Sequence, residues 1–216
     1  MGTYIFSGGE LNPSLAEKVM EKDTEVVTVI AADKGVESCS AMGVEPDYIV
    51  GDFDSTSDSM KEYLDNRRDR VTRLNPIKDD TDTEAALRLA FEKTKGDIII
   101  FGGTGTRLDH VLGNISILGL GFEENRQVFL VDEHNRIRLV KDRLVLEKKE
   151  QFGKYVSVVP LWKQAKGVTL KGFAYPLENA VMEGFTSLGI SNEIAEDRAE
   201  ISVEEGILIV IESKDW

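Results

Sequence analysis

Four groups of aspartates follow predicted β-strands, and their side chains are of the type that binds divalent cations. Because the loops after parallel strands emerge at one edge of a sheet, these carboxylates are expected to share one cleft. Like charges gathered in this way repel one another unless a cation lies among them. Mg²⁺ prefers a few carboxylate oxygens together with waters and phosphates, so the residues predict a Mg²⁺–polyphosphate site. The four groups are Asp33; Asp52 and Asp54; Asp79, Asp80 and Asp82; and Asp109.

Two glycine-rich stretches could bind the phosphate oxygens that carboxylates repel. Gly102, Gly103 and Thr104 follow an apolar run and precede a predicted helix, so their backbone amides could cradle phosphate, with Arg107 as a charged partner. The stretch Ser7-Gly8-Gly9 follows the first strand in the same way. Neither stretch has the Gly-Lys-Ser/Thr ending of a Walker A loop. Each is a weak signal when it is taken alone.

The elements that must position these residues alternate between strand and helix over the first part of the chain. Strands are predicted at residues 4–7, 26–31, 48–50, 71–74 and 98–101, each followed by a helical pattern. Thr81 and Glu84 are spaced as a capping box at the start of the clearest helix. This alternation predicts an α/β domain at residues 1–130 with a mostly parallel, Rossmann-like, doubly wound sheet.

From about Val128 the helical periodicity fades and runs that alternate apolar with polar residues take over. Examples are RIRLVKDRLVLEKK, KYVSVVPLW and ILIVIES, separated by glycine or charged turns. The run QVFLVD at the start of this region was grouped with them. Residues 135–216 are therefore predicted to form a separate, antiparallel, all-β domain, a sandwich or a small barrel.

Composition limits the classes of protein that are compatible with the chain. With 216 residues, 41% of them hydrophobic, it is long enough to bury a core. A net charge of -13 argues against binding to nucleic-acid backbones, which need a basic face. No run approaches 18 consecutive apolar residues, so no membrane span is expected. The single Cys39 cannot form an intramolecular disulfide, and a cytoplasmic location is expected.

Several of the polar residues also have plain structural explanations. Asp82 and Glu84 lie in a predicted first helical turn, where the helix dipole favours acids whatever the function. Asp58 and Asp80 are expected in solvated turns. His110 could relay a proton, but a single histidine on a helix is more often a packing residue. The coincidence of four acidic loops, rather than any one residue, favours a functional site.

There are three alternatives to a Mg²⁺–polyphosphate site, and the stretch GDFDSTSDS at residues 51–59 suggests two of them. An EF-hand calcium loop starting at Asp52 would need Gly and Glu where Ser57 and Tyr63 stand, so that class is excluded. Asp52-Phe53-Asp54-Ser55-Thr56 matches the nucleophile motif of haloacid dehalogenase-type phosphatases, although two βα units precede it here. A nucleotide-sensing module without catalytic activity is the third alternative.

Five short motifs follow one another along the chain. They are Ala32-Asp33-Lys34-Gly35, Gly51-Asp52-Phe53-Asp54-Ser55, Lys78-Asp79-Asp80-Thr81-Asp82, the stretch from Gly102 to His110 with Asn114, and Ser191-Asn192-Glu193. Taken together in this order, they resemble the bacterial thiamine pyrophosphokinase family. The resemblance implies transfer of pyrophosphate from ATP to thiamine, giving thiamine diphosphate and AMP with Mg²⁺. It also implies an α/β domain followed by a β-sandwich, and a homodimer with active sites at the subunit interface. A related pterin pyrophosphokinase is the nearest alternative.

The resemblance also assigns roles to individual residues. It implies that Asp52, Asp54 and Asp82, with Asp79 nearby, hold Mg²⁺ and the ATP phosphates; Asp54 and Asp82 are the candidates for the general base. It implies thiamine contacts from Ser191 and Asn192, and it makes Tyr175, in Gly172-Phe173-Ala174-Tyr175, the candidate for stacking on thiamine. Asp109 joins the three aspartates in the catalytic group. The remaining binding residues are Asp33, Lys34, Thr81, Gly102, Gly103, Thr104, Arg107 and Asn114.

Overall fold

The computed structural model describes residues 2–22, 27–53, 58–73, 80–105 and 107–215. The chain divides into two compact units, Met1–Glu133 and His134–Trp216. Within the described residues, no helix is both long enough and apolar enough to cross a membrane.

The first unit contains six strands joined only by parallel pairings, in the order β4-β3-β2-β1-β5-β6. Their sequences are short β-branched or aromatic runs such as TVIAA and IIIF, and they are largely buried, as expected for strands of a parallel sheet. The strands are β1 (Thr3–Phe6), β2 (Thr28–Ala32), β3 (Tyr48–Gly51), β4 (Val71–Arg73), β5 (Ile98–Phe101) and β6 (Val128–Val131).

Five helices of the first unit alternate with these strands. They are α1 (Pro13–Met20), α2 (Gly35–Ala41), α3 (Asp58–Asp65), α4 (Asp82–Lys93) and α5 (Leu108–Ile117), and a short 3-10 helix follows at Leu118–Phe122. Asp58 therefore begins a helix rather than lying in a turn. Helix α4 is the longest, and it packs against β1, β2 and β3.

The C-terminal end of α4 is held by a side chain that lies 30 or more positions away in sequence. Arg126 donates hydrogen bonds to the carbonyl oxygens of Ala90 and Thr94 at 3.2 and 3.1 Å, and also to that of Gly96. The Ala90 carbonyl also accepts from the Thr94 N–H at 3.0 Å, so the guanidinium adds a further donor at this end of the helix and complements the helix dipole. Arg126 thereby fixes α4 from the end opposite to its catalytic candidates.

The second unit consists of two antiparallel sheets that enclose one apolar core. One sheet has the order β12-β9-β14-β7 and the other the order β11-β10-β13-β8. Val156, Val210, Leu170 and Ile201, two from each sheet, are among the buried residues of this shared core. The strands are β7 (Asn135–Val140), β8 (Arg143–Glu147), β9 (Tyr155–Pro160), β10 (Gln164–Lys171), β11 (Leu177–Glu183), β12 (Asn192–Glu193), β13 (Arg198–Ser202) and β14 (Leu208–Ser213).

A buried ion-pair network joins β7 to β14 in the second unit. Glu212 has no exposed surface, and its carboxylate accepts from Arg136 at 2.9 and 2.7 Å and from Arg138 at 2.6 Å. The backbone N–H of Phe152 donates to it as well, at 3.2 Å. Burial alone would raise the pKa of Glu212, but the hydrogen bonds and charges of the two arginines outweigh it and lower the pKa.

The prediction of an all-β second unit is confirmed. One detail of the strand prediction is wrong, because the run QVFLVD was grouped with the antiparallel strands. Residues Val128–Val131 of that run form β6, which pairs parallel with β5 in the first unit. A single short apolar run has the same composition in either kind of sheet, so its partner could not be read from the pattern. Val26 and Leu74, the ends of two predicted strands, lie outside the described residues.

Candidate active site

A cleft of about 480 Å³ lies where the loops leave the carboxyl ends of β1 to β5. All of its lining residues belong to the first unit, and they come from five loops and from the helices that follow them. They are Ser7, Gly8, Gly9, Ala32, Asp33, Lys34, Asp52, Asp80, Thr81, Asp82, Thr83, Gly102, Gly103, Thr104, Gly105, Arg107, His110, Val111 and Asn114.

The two glycine-rich loops of the cleft are tied directly to each other. Ser7 donates its backbone N–H to the Phe101 carbonyl, and Gly9 donates its own to the Gly102 carbonyl, both at 2.8 Å. A Cβ at Gly9 would lie 2.4 Å from the Gly102 oxygen and 2.5 Å from the Thr104 oxygen, which leaves no room for one. Gly102 itself has a φ of +65°. Glycine is thus required at both positions for the loops to approach this closely.

Asp33 carries the clearest sign that the cleft receives a ligand. Its backbone lies in the left-handed region with a φ of +47°, and its Oδ1 is buried without a hydrogen-bond partner among the described residues. Burial raises the pKa of Asp33, and the negative charges of Asp82 and Asp52 raise it further, against a lowering by the Lys34 N–H. A buried unpaired acceptor costs about 1–3 kcal/mol, so this site is completed by a donor or a cation.

The chemistry of these donors fits Mg²⁺, because Asp33, Asp52 and Asp82 offer only hard carboxylate oxygens. Burial is the main cause of the raised pKa of Asp33, and the charges of Asp82 and Asp52 add to it, so a divalent cation would relieve the repulsion among these carboxylates. Within the described ranges, however, no three acidic, histidine or cysteine side chains lie close enough to hold a metal ion. Asp54 and Asp79, two of the predicted metal ligands, lie outside the described residues.

The start of α4 brings Asp82 to the cleft. The Thr81 hydroxyl accepts from the Glu84 N–H at 3.2 Å and caps the helix, as its spacing predicts. A second contact was not predicted: the hydroxyls of Ser7 and Thr83 are 2.9 Å apart. Since Thr83 directly follows Asp82, this hydrogen bond links the first glycine-rich loop to the helix turn that carries the carboxylate.

Arg107 and Asp109 form an ion pair at the start of α5. Arg107 donates to the two carboxylate oxygens of Asp109 at 3.2 and 2.5 Å, and both side chains are largely exposed. The hydrogen bond from Arg107 lowers the pKa of Asp109. Arg107 lines the cleft, whereas Asp109 is not among the described residues that line it. Asp109 is therefore placed to orient Arg107.

The three predicted thiamine-contacting residues lie in the second unit. Tyr175 is 73% exposed and Ser191 is also exposed, whereas Asn192 is only 3% exposed. The Asn192 side chain accepts from the Tyr175 N–H at 3.0 Å and donates to the Tyr175 carbonyl at 2.7 Å. These three residues thus form one local cluster in the second unit.

Most of the predicted residues of the first unit meet in the cleft, and some lining residues had been missed. Asp80 was expected in a solvated turn and His110 in a packing role, but both line the cleft. Asp80 belongs to the motif from Lys78 to Asp82, and His110 ends the stretch from Gly102 to His110. Ser7 belongs to the first glycine-rich stretch, whereas no sequence signal indicated Thr83. The predicted residues that line the cleft are Asp33, Lys34, Asp52, Thr81, Asp82, Gly102, Gly103, Thr104, Arg107 and Asn114.

Two protein-family models match this chain, one in each part of it. Residues 20–130 match the model described as "Thiamin pyrophosphokinase, catalytic domain". Residues 142–208 match the model described as "Thiamin pyrophosphokinase, vitamin B1 binding domain". With the acidic, glycine-lined cleft, they define an enzyme of the diphosphotransferase class.

Individual relatives agree with the family models. A thiamine pyrophosphokinase from Bacillus subtilis is 36% identical over 186 residues, which cover 86% of this chain and 87% of the relative. The crystal structure of a thiamine pyrophosphokinase from Bacillus subtilis superposes with a TM-score of 0.88 at 33% identity, covering all of both chains. One from Geobacillus thermodenitrificans gives 0.86 at 32% identity, covering 100% of this chain and 98% of that one. The chain belongs to the thiamine pyrophosphokinase family.

Proposed function

We propose that this chain transfers the pyrophosphoryl group of ATP to the hydroxyl of thiamine, giving thiamine diphosphate and AMP. The observation that carries the proposal is the Oδ1 of Asp33, which is buried without a hydrogen-bond partner among the described residues, in a cleft bounded by glycine-rich loops. Such an oxygen needs a donor or a cation, and Mg²⁺ that accompanies a polyphosphate would supply the cation together with the donor groups of its bound waters. Membership of the family supplies the identity of the two substrates.

Within the proposed site, the second glycine-rich loop and its neighbours bind the phosphates of ATP. Gly102, Gly103 and Thr104 offer backbone groups in the loop that leads into helix α5, whose N-terminal end favours anions. Arg107 adds a guanidinium that balances charge on the transferred group. Asn114 donates to the Gly103 carbonyl at 2.7 Å and so holds the loop in shape. Lys34 and Thr81 complete the binding set from the neighbouring loops.

Mg²⁺ would be held by Asp52 and Asp82 together with Asp54 and Asp79, and would neutralise the phosphate oxygens around the attacked phosphorus. Asp33 lies beside this set and is influenced by the charges of Asp82 and Asp52. A primary alcohol is a weak nucleophile at neutral pH, so it needs a carboxylate to accept its proton or a metal to favour the alkoxide. Asp82 and Asp54 are the candidates for the carboxylate, and Asp109 supports catalysis through Arg107.

We further infer a division of labour between residues 1–130, which bind ATP and Mg²⁺, and residues 135–216, which bind thiamine. The two compact units support that division. For the first unit we infer a Rossmann-like, doubly wound sheet, because in the order β4-β3-β2-β1-β5-β6 strand β2 lies on one side of β1 and β5 on the other, as at a topological switch point. The loops after β1 and β5 line the cleft at this point. A crystal structure with all five helices on one face of the sheet would contradict the doubly wound arrangement.

A homodimer with its active sites at the subunit interface completes the proposal. Phe185 is 94% exposed and Trp162 is 66% exposed, and the Gly184 N–H bonds the Lys163 carbonyl at 2.7 Å, so their segments are adjacent. Aromatic side chains of this size are usually covered in stable assemblies. Phe185→Asp is expected to give a monomer in sedimentation experiments and Phe185→Leu to retain the dimer. A dimeric Phe185→Asp variant would remove this surface from consideration.

A cytoplasmic location is proposed from the composition. The chain has one cysteine, and burial raises the pKa of the Cys39 thiol to about 12, so the thiol stays protonated and inert. A chain without disulfides suits a reducing compartment. Cell fractionation tests this directly, and recovery of the protein outside the cytoplasmic fraction would refute it.

The reaction is tested by incubating the full chain with ATP, Mg²⁺ and thiamine and following the nucleotide product. AMP formed only with thiamine present supports the proposal, whereas ADP indicates transfer of a single phosphoryl group. Asp82→Asn and Asp52→Asn are each expected to lower turnover by about 10²-fold or more without a change in the far-UV circular dichroism. Near wild-type turnover in both variants would remove these aspartates from the site.

A further inference from the structure

The side-chain amide of Asn192 forms hydrogen bonds with both the N–H and the carbonyl of the Tyr175 backbone. Its Oδ1 accepts from the Tyr175 N–H at 3.0 Å, and its Nδ2 donates to the Tyr175 carbonyl at 2.7 Å. A side-chain amide that pairs with both backbone groups of one residue acts as a short strand partner. The position of the Tyr175 Cα is therefore set by Asn192.

The amide of Asn192 has little capacity left for a ligand. Its Oδ1 also accepts from the Glu193 N–H at 2.9 Å, so both lone pairs of this oxygen are engaged. The residue is only 3% exposed, whereas Tyr175 is 73% exposed. Tyr175, rather than the buried amide of Asn192, is therefore the part that an incoming molecule can reach.

Asn192 is itself fixed by a strained neighbour. Ser191 has a φ of +55°, a conformation that is unfavourable for a residue with a Cβ. The Ser191 N–H donates to the Ser157 Oγ on β9 at 3.0 Å, and Asn192 pairs with Val156 of the same strand. The turn therefore leaves Ser191 exposed and directs the Asn192 side chain inward towards Tyr175.

We propose that Asn192 is a positioning residue, which sets the Tyr175 ring against the substrate and does not contact the substrate itself. This inference rests on the proposed function, since it takes thiamine as the molecule that meets the ring. Thiamine carries a cationic thiazolium and a flat pyrimidine, and both are suited to the face of an aromatic side chain. The ring contributes binding energy only where its backbone holds it in place, and Asn192 supplies that hold.

A double-mutant cycle on the full-length chain tests the proposal. Tyr175→Ala and Asn192→Ala are each expected to raise the KM for thiamine about tenfold and to leave the KM for ATP unchanged. The double variant is expected to match Tyr175→Ala alone, because Asn192 has no ring left to position. Tyr175→Phe, which keeps the ring and the backbone contacts, is expected to retain the wild-type KM for thiamine.

Three results would overturn the inference. Effects that multiply to about a hundredfold in the double variant would mean that Asn192 contacts thiamine independently. An unchanged KM for thiamine in Tyr175→Ala would mean that the ring does not contact thiamine. An unchanged KM for thiamine in Asn192→Ala would mean that Asn192 does not position the ring. If Asn192→Ala fails to fold, Asn192→Asp takes its place in the cycle, since it keeps the acceptor and loses the donor. A wild-type chain that forms no AMP with thiamine would instead contradict the proposed function.

Discussion

Replacement of Gly9 by alanine tests whether the close approach of the two glycine-rich loops is needed for activity. The added Cβ would lie 2.4 Å from the Gly102 oxygen and 2.5 Å from the Thr104 oxygen. An ordinary carbon–oxygen contact is about 3.3–3.6 Å, so one of the loops must move by roughly 1 Å. A displacement of about 1 Å in a site of this kind lowers the rate by roughly 10²-fold.

The same substitution is expected to have a moderate effect on stability. Overpacking of a well-packed site costs about 1–3 kcal/mol. For a chain of this size that corresponds to a fall in Tm of roughly 2–12 °C. Two measurements on one preparation therefore suffice: kcat/KM for thiamine-dependent AMP formation, and thermal unfolding by circular dichroism. The predicted pattern is a large loss of activity in a protein that still folds.

Gly113 offers a matched control on the helix next to the cleft. No atom lies within 4 Å of a Cβ placed there, and alanine is a better helix former than glycine by about 1 kcal/mol. Gly113→Ala is thus expected to keep wild-type activity and to melt at the same temperature or higher. If Gly9→Ala retained the wild-type kcat/KM and Tm, the close contact between the loops would play no part in catalysis.

Three further variants test other parts of the structure. Arg126→Met removes the hydrogen bonds to the carbonyls at the end of α4. It is expected to destabilise the fold by about 2–3 kcal/mol in urea unfolding, because hydrogen bonds from charged groups contribute more than neutral ones. An unchanged urea midpoint would show that Arg126 does not stabilise this end of the helix. The pKa of Glu212 is lowered in the folded state, so the ionised carboxylate stabilises the fold fully above the ordinary pKa of 4.5, and this stabilisation is lost as the pH falls through the lower pKa of the folded state. Glu212→Gln is accordingly expected to be less stable than the wild type at pH 7 and to lose less stability on acidification. Parallel plots of the free energy of unfolding against pH for the two proteins, from pH 7 to 3, would contradict this. Thr83→Val breaks the hydrogen bond to Ser7 and is expected to raise severalfold the Mg²⁺ concentration needed for half-maximal activity. Thr83→Ser keeps the hydroxyl and is expected to restore the wild-type value. An equal Mg²⁺ dependence in Thr83→Val and Thr83→Ser would show that the contact does not position Asp82.

The parts of the fold that the sequence predicts best are those fixed by neighbouring residues. Thr81 and Glu84 are three positions apart, so their spacing predicts the cap of α4, and the hydroxyl indeed accepts from the Glu84 N–H. Only half of the predicted capping box forms, however. The Glu84 carboxylate bonds Arg88, one turn further along the helix, at 2.6 Å. Two local partners compete for one carboxylate, and sequence spacing favours both.

Contacts between distant positions could not be predicted in this way. The hydroxyls of Ser7 and Thr83 are separated by 76 positions in sequence, and no local spacing connects the two residues. Arg126 reaches α4 across more than 30 positions. Each contact depends on the order of strands in the sheet, and alternation of strands and helices predicts that a sheet exists without giving its order. The acidic loops were predictable because any parallel order brings them to one edge.

Phosphorus NMR of the complete reaction tests whether both phosphates move together from ATP to thiamine. AMP and thiamine diphosphate are expected to appear in a one-to-one ratio, with no ADP and no free phosphate. When ATP carries an isotopic label on its β- and γ-phosphates, both coupled phosphorus signals of thiamine diphosphate are expected to show that label. Thiamine monophosphate with ADP, or free phosphate that forms equally without thiamine, would show that the pyrophosphoryl group is not transferred as one unit.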